Sequence, residues 1–333
     1  MPRDPLSGAL SVLLPLLLLT AVPAHAQDAE ELADALGRVG QEYATNYTRP
    51  LTDALGADLN AALFRTAEFG GTGLVPAIDL YVGATVMGAF TAGSPEAFQL
   101  SNDRIQTENE RTLIIEYPNQ DLPTAFGDGN SPGTADLIDD TTGVKVGEVS
   151  LPGSIVDTPI APLIVPQVGV GTVLGTDAQL RYLPETKLSD YGSVSLLGLS
   201  VRHSLSQYIP VSPVELAVQG TWQRLALSGS EESQNPEKVL DASGWALNAQ
   251  LSKDVPALPV TFYGGVQYEK FAVDVNYTFS ANGQMATVAY EQEAANKVRA
   301  LAGLSLSLAI LRINVDYALS ANNTVSAGVG LTL

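Results

Sequence analysis

The chain has no cysteine among its 333 residues, and only 16% of them are charged. Without thiols there is no disulfide framework, no thiolate metal centre and no sulfur nucleophile. The charged share lies below the roughly 25% of an ordinary soluble domain, while the hydrophobic share is 45%, enough to build a core and to exclude disorder through apolar shortage. Basic residues are scarce as well: 17 stand against 36 acidic ones, a formal net charge of −19. Phosphates need a basic surface, so nucleic acid is excluded as a partner. The apolar run from Ala9 to Val22, with Pro15 inside it, is too short for a spanning helix.

That run has another meaning. Arg3 and the amino terminus precede it, and Ala24-His25-Ala26 closes it with the small-x-small pattern of signal-peptidase cleavage. Residues 1–26 are expected to be a signal peptide, with Gln27 the new amino terminus and the protein exported. No cysteine follows the run to carry a lipoprotein anchor.

Beyond the signal, the apolar period is first helical and then alternating. Leu32, Leu36, Val39, Tyr43 and Tyr47 share one helical face. Pro50 suits the first turn of a second helix with Leu51, Leu55, Leu59, Ala62 and Leu63 as its stripe, and Gly70, Gly71 and Gly73 punctuate its end. From Ile78 the period is two, most cleanly in Leu311 to Leu319, where Leu311, Ile313, Val315, Tyr317 and Leu319 oppose Arg312, Asn314, Asp316 and Ala318. Between Val260 and Phe279 the apolar parity reverses at Glu269-Lys270, which predicts a two-residue hairpin pairing Tyr268 with Phe271. Further strands are expected at 111–117, 143–151, 163–173, 176–184, 190–204, 214–228, 238–252, 284–293 and 296–309, for about 12 to 14 in all. Residues 120–143 and 229–236 read as loops rich in turn residues.

Chemistry-bearing residues are few. His203 is the only histidine after the signal, and Ser204, its strand neighbour, points to the opposite face; no nucleophile-elbow sequence is present. Asp128, Asn130, Asp136, Asp139 and Asp140 offer oxygen ligands but match no calcium-loop register, so a solvated surface loop is expected. Arg181, Arg202, Arg224 and Arg312 fall inside strands and are expected to face a lumen, with Asp177, Asp316 or Glu215 as partners. Trp222, Trp245 and the tyrosines suit either interfacial girdles or plain strand propensity. No catalytic, cofactor-binding or metal site is assigned, and no enzyme is expected.

An exported, cysteine-free chain of long alternating strands fits either a soluble sandwich or an outer-membrane barrel. Strands of ten or more residues with nearly uncharged apolar faces favour the barrel. The stretch Tyr43 to Phe69 (YxxxYxxPLxxxLGxxLN at its start) points the same way, as do Gly175-Thr176-Asp177, Arg181 to Pro184, Arg202-His203, Gln207 to Pro210, Asp316 to Leu319 and Ala327 to Gly330. Together they resemble an uncharacterised family of bacterial outer-membrane β-barrel proteins, a domain-of-unknown-function family best populated in the Bacteroidetes. More distantly the chain is similar to FadL-type channels, which also place a helical hatch before a barrel. It departs from many such barrels by ending on Leu331-Thr332-Leu333 rather than an aromatic residue. The resemblance implies an all-β membrane protein: signal peptide 1–26, helical hatch 27–70, and a closed antiparallel barrel over 71–333. The implied function is passive passage of small hydrophobic molecules through a plugged lumen. The alternatives are a non-transporting barrel acting as scaffold or surface-interaction protein, with the acidic loops as its contact surface, and a soluble secreted β-protein. Expected partners are outer-membrane lipid, small hydrophobic solutes and the barrel-assembly machinery.

Overall fold

The computed structural model describes residues 29–67, 78–91, 93–107, 111–118, 120–127, 129–154, 159–172, 174–187, 193–228, 238–281 and 284–333. The expected signal peptide, the glycines at 70, 71 and 73 and the 229–236 loop lie outside them. Among the described residues one helix, α1 (Ala29–Leu59), precedes the first strand, β1 (Ile78–Phe90). An insertion follows, with β2 (Ala97–Phe98), β3 (Asp103–Gln106), β4 (Thr112–Glu116), β5 (Leu122–Pro123), β6 (Gly133–Asp139) and β7 (Lys145–Leu151). The chain then runs through β8 (Ile160–Thr172), β9 (Thr176–Lys187), β10 (Ser193–Ser204), β11 (Glu215–Ser228), β12 (Lys238–Asp254) and β13 (Val260–Ala281). It ends with β14 (Gln284–Glu293), β15 (Val298–Leu308), β16 (Leu311–Leu319) and β17 (Thr324–Thr332).

These strands close a ring. β8 to β13 pair in succession, β13 pairs β15, β15 to β17 continue, and β17 returns to β1, whose other edge meets β8. Every barrel pairing is antiparallel. The first half of β13 pairs β15 and its second half pairs β14, so β14 and β15 share one strand position. The barrel therefore has ten positions where the alternation suggested 12 to 14 strands. The expected strands at 111–117 and 143–151 belong to a separate sheet in the insertion, ordered β3-β4-β6-β7. Short connections at 173–175, 255–259 and 309–310 mark a turn end, which also receives the start of β1 and the end of β17. The opposite, loop end carries the insertion and the β13–β14 hairpin.

Side-chain parity gives the wall its two faces. Leu199, Val201, Val218, Leu247, Leu251, Phe262, Val266, Leu304, Val315 and Val329 point outward and are exposed. On the opposite face of the wall Arg181, Arg202, Gln219, Gln223, Gln250, Gln267, Glu269, Arg299 and Asn314 point inward and are buried. This is a soluble protein's polarity turned inside out. From Val298 to Leu308 the tilted β15 covers about 25 Å, the height of an outer-membrane apolar band. Tyr182, Trp222, Trp245, Tyr268 and Tyr317 face outward on this wall. Trp222 stands opposite Trp245 in register, and the Trp245 and Tyr268 rings lie 5.5 Å apart. Two residues on toward the loop end, Arg224, Ser243 and Lys270 replace the aromatics. The architecture is that of a membrane-spanning barrel, and these aromatics form a girdle at its loop-end margin.

The girdle corrects the expected hairpin at Glu269-Lys270. β13 runs unbroken through both residues for 22 residues in all. Below them Phe262, Val266 and Tyr268 face outward, while Gln267 and Glu269 face the lumen. Above them Asp274 and Asn276 are exposed outside, while Phe271, Val273 and Val275 are buried inside. The parity reverses because the strand leaves lipid for water, so each face exchanges its solvent. Accordingly Val266→Arg should cost about 2–4 kcal/mol in a folding titration into lipid vesicles. Asp274→Arg, above the girdle, should change the midpoint little.

Candidate functional site

Where an open channel would run, the barrel holds its own chain. The helix enters from the loop end, and residues 60–67 continue through the lumen toward the turn end. The sequence suggested two helices broken at Pro50, but α1 is continuous through that residue. Both halves are held by packing: Tyr43 and Tyr47 are buried on one side of Pro50, and Ala54, Ala57 and Leu59 on the other. That packing offsets the one backbone donor proline lacks.

A helix ending inside a barrel leaves its last carbonyls without partners. Side chains of the wall supply them. The Arg299 guanidinium donates to the Ala57 carbonyl at 2.7 Å. Arg181 donates to the carbonyls of Leu59 at 3.0 Å and Ala61 at 2.9 Å, and also to that of Ala62. Gln223 reaches the Leu59 carbonyl at 2.7 Å, Gln267 that of Asn60 at 2.8 Å, and Gln219 that of Leu63 at 3.0 Å. Nearer the turn end Arg202 donates to the Thr66 carbonyl, and the Ala67 amide donates to Ser252 at 3.1 Å. The last turn of α1 has no basic residue of its own, so the wall's guanidinium groups complement its negative end.

Anions of the wall neutralise two of these arginines. Arg299 pairs with Glu269 at 2.9 Å, both fully buried, and Arg202 pairs with Asp177. Removing one partner of such a pair costs about 3–5 kcal/mol. Thus Arg181 and Arg202 face the lumen as expected, but Arg181 holds plug carbonyls instead of pairing with a carboxylate. Arg312 shares its parity with the buried Asn314 and Asp316. Arg224 is a correction: it is exposed outside the girdle and pairs with Asp241. Arg299 was missed, although Gln219-x-Thr221-x-Gln223 and Asn248-x-Gln250-x-Ser252 already mark alternate wall positions as polar.

At the loop end the insertion clamps the helix. Ile105, Leu113, Ile115, Ala135, Leu137 and Leu151 bury against Ala35, Val39, Tyr43 and Tyr47. The stacked Tyr43 and Tyr47 hydroxyls donate to the carbonyls of Pro152 at 2.7 Å and Gly153 at 2.9 Å, and Tyr117 donates to Glu42 at 3.0 Å. Gly37 lies against β14, where a Cβ would meet the Thr287 carbonyl at 3.0 Å. Burial, chiefly, raises the Tyr43, Tyr47 and Tyr117 phenols above their ordinary value, and that of Tyr290 to about 12.

The acidic stretch reads differently in this setting. Residues 120–143, expected as a loop, hold β5 and β6, and Leu122, Ala125, Phe126, Ala135 and Leu137 are buried. Asp136 pairs with Lys145 at 2.9 Å and Asp140 with Arg104 at 3.5 Å. Asp139 pairs with Arg111 and caps Thr141 and Thr142; these bonds, Arg111 foremost, hold its carboxyl down at about 2. Asp128 lies outside the described residues. These three carboxylates therefore serve protein cations and backbone amides. His203 shares hydrogen bonds with Thr176 at 2.7 Å and Tyr208 at 3.0 Å on the outward face near the turn end, and Ser204 points the other way.

A profile of the Family of unknown function (DUF6588) matches residues 7–333. No curated protein matches. Among solved structures the chain is similar to CdiB from Acinetobacter baumannii, at 10% identity, 78% coverage of this chain and a TM-score of 0.23. It spans 60% of the length of CdiB. It is also similar to the translocator domain of autotransporter NalP from Neisseria meningitidis, at 11% identity over 92% of this chain and 99% of that one, with a TM-score of 0.25. The P. putida toluene transporter TodX follows at 11% identity over 85% and 76%, with a TM-score of 0.28. Likenesses at these scores carry no argument about activity.

The phenols of the clamp give a pH test. Folding raises their pKa, so their stabilisation is complete below pH 10 and falls as alkaline pH ionises the unfolded chain first. Proteolysis of the insertion should accelerate above pH 10 while the barrel stays folded. Tyr43→Phe should weaken the clamp by about 1 kcal/mol at neutral pH, read by hydrogen exchange in β7.

Proposed function

The chain belongs to the family of unknown function whose profile spans it, and on that footing we propose a sealed bacterial outer-membrane barrel that holds its helix and its insertion at the cell surface. It is a scaffold rather than a conduit. The observation that carries this reading is the row of plug carbonyls, from Ala57 to Thr66, held by Arg299, Arg181, Gln223, Gln267, Gln219 and Arg202. Opening the lumen to water would break these bonds together, each contributing about 0.5–1.5 kcal/mol net, and would expose the apolar side of the plug.

Orientation follows from the connections. Short turns and both barrel termini mark the periplasmic side, while the insertion and the hairpin extend outside the cell. The N-terminal half of α1 is then displayed at the surface, clamped by the insertion. A partner would dock on this cap and its sheet. Deleting residues 120–143 is not a clean test of that contact, because it removes the core beneath the helix. The reading assigns no enzymatic step and no cofactor; outer-membrane lipid surrounds the wall, and assembly machinery acts only during insertion.

Passage of small hydrophobic molecules requires residues 57–67 to leave the lumen. The decisive experiment is conductance and solute uptake by the purified barrel in planar bilayers and liposomes. The full chain should show neither step conductance nor entry of a lipid-like solute, and removal of residues 29–67 should open it. An intact barrel that conducts, or that admits a fatty acid, overturns the scaffold reading in favour of transport.

A further inference from the structure

The turn end has an unusual chemistry. Its connections at 173–175, 205–214, 255–259 and 309–310 contain no charged residue. Their tips are apolar and exposed: Leu174 at 73%, Val211 at 98%, Leu258 at 60% and Ile310 at 39%. Turns that face water use glycine, asparagine and aspartate, both for solubility and because those residues accept positive φ. Here Val211 has a φ of 61°, Ala257 of 67° and Ala309 of 53°. A β-branched side chain in the left-handed region is strained, and glycine or asparagine would relieve that strain. In three of four connections the chain keeps an apolar side chain where the backbone favours a polar or absent one.

The tips continue a surface already described. Leu251, Phe262 and Leu308 extend the outward apolar wall to within a few residues of them. Tyr208 adds an amphipathic ring among the tips, 68% exposed, its hydroxyl shared with His203 at 3.0 Å. A tyrosine with an apolar body and a hydrogen-bonded tip suits the membrane interface.

We propose that these four connections lie in the headgroup–acyl boundary of the periplasm-side leaflet, with phospholipid as their ligand. This rests on the membrane-barrel reading above. Acyl chains cover Leu174, Val211, Leu258 and Ile310, while Tyr208, His203 and Thr176 meet the headgroup layer. The barrel then stops inside the leaflet on that side, and carries its water-exposed structure on the other.

A chain without cysteine makes the test direct. Leu174→Cys, Val211→Cys, Leu258→Cys and Ile310→Cys, each the sole thiol, are labelled with bimane in the full chain. Each is placed in phosphatidylcholine nanodiscs, with and without brominated acyl chains, where both rims are open to solvent. Leu247→Cys on the belt and Val144→Cys on the insertion serve as lipid and water controls. Brominated lipid should quench the four tips as it quenches Leu247→Cys, and iodide should quench only Val144→Cys. Iodide quenching of the tips without lipid quenching overturns the inference while the belt control keeps the membrane reading intact. Tips shielded from both quenchers overturn it as well, and assign the rim to a second copy of the chain. Failure at Leu247→Cys itself would instead sink the membrane reading.

Discussion

The constraint on which this structure depends is the need to satisfy backbone polar groups where water is absent. A membrane wall built of strands can only be a closed sheet, because lipid offers a strand edge nothing. The same need arises a second time inside the wall, where a helix ends with its carbonyls pointing into a lumen. Arginine suits that task because its several donors, in a fixed fork, can serve more than one carbonyl from a single residue. Arg181 does so for three carbonyls. Once guanidinium groups are committed to the lumen their charge must be balanced, which accounts for Glu269 and Asp177 on the same inner face. Wall, plug and lumen charge are consequences of one requirement.

How much of this was legible follows from which patterns have a period. The long strands were readable because outward and inward positions alternate, and the strands expected from 163 to 309 coincide with β8 to β12, β14 and β15 to within a few residues. The hairpin expected at Glu269-Lys270 shows where periodicity misleads. A parity reversal arises when the chain turns and also when it crosses from lipid into water, and sequence alone does not separate the two. The surroundings did contain a clue, since Lys270, Asp274 and Asn276 are too polar for a lipid-facing wall. The insertion was misread for a related reason. Its strands are short, most have only one buried face, and Gly133 at a φ of 110° and Gly143 at 67° make it resemble a loop.

The plug was legible in outline and not in detail. The stripe at Val39, Tyr43, Tyr47 and Leu59 marked helical segments needing cover, and each of these residues is buried. What covers them came from chain segments about 60 to 250 residues away, among them Gly153 for Tyr47 and Gln292 for Thr52. Contacts of that range leave no local signature. Arg299 was overlooked because its neighbours Val298, Ala300, Leu301 and Ala302 suggest an apolar strand, and one polar residue in such a run declares itself only when its inward partner is known.

The barrel's seam has a temporal consequence. β1 closes against β17, with Tyr81 opposite Thr332 and the Leu80 amide bonded to the Leu333 carbonyl. The ring therefore cannot shut until β17 has joined the sheet, and the pairing that shuts it spans some 250 positions of chain. Such distant pairings form late and slowly. Residues 57–67 lie inside the ring that this pairing shuts, bonded to β9, β10, β11, β13 and β15. Connectivity thus ties enclosure of the plug to a pairing between the two strands of the ring that stand farthest apart in sequence.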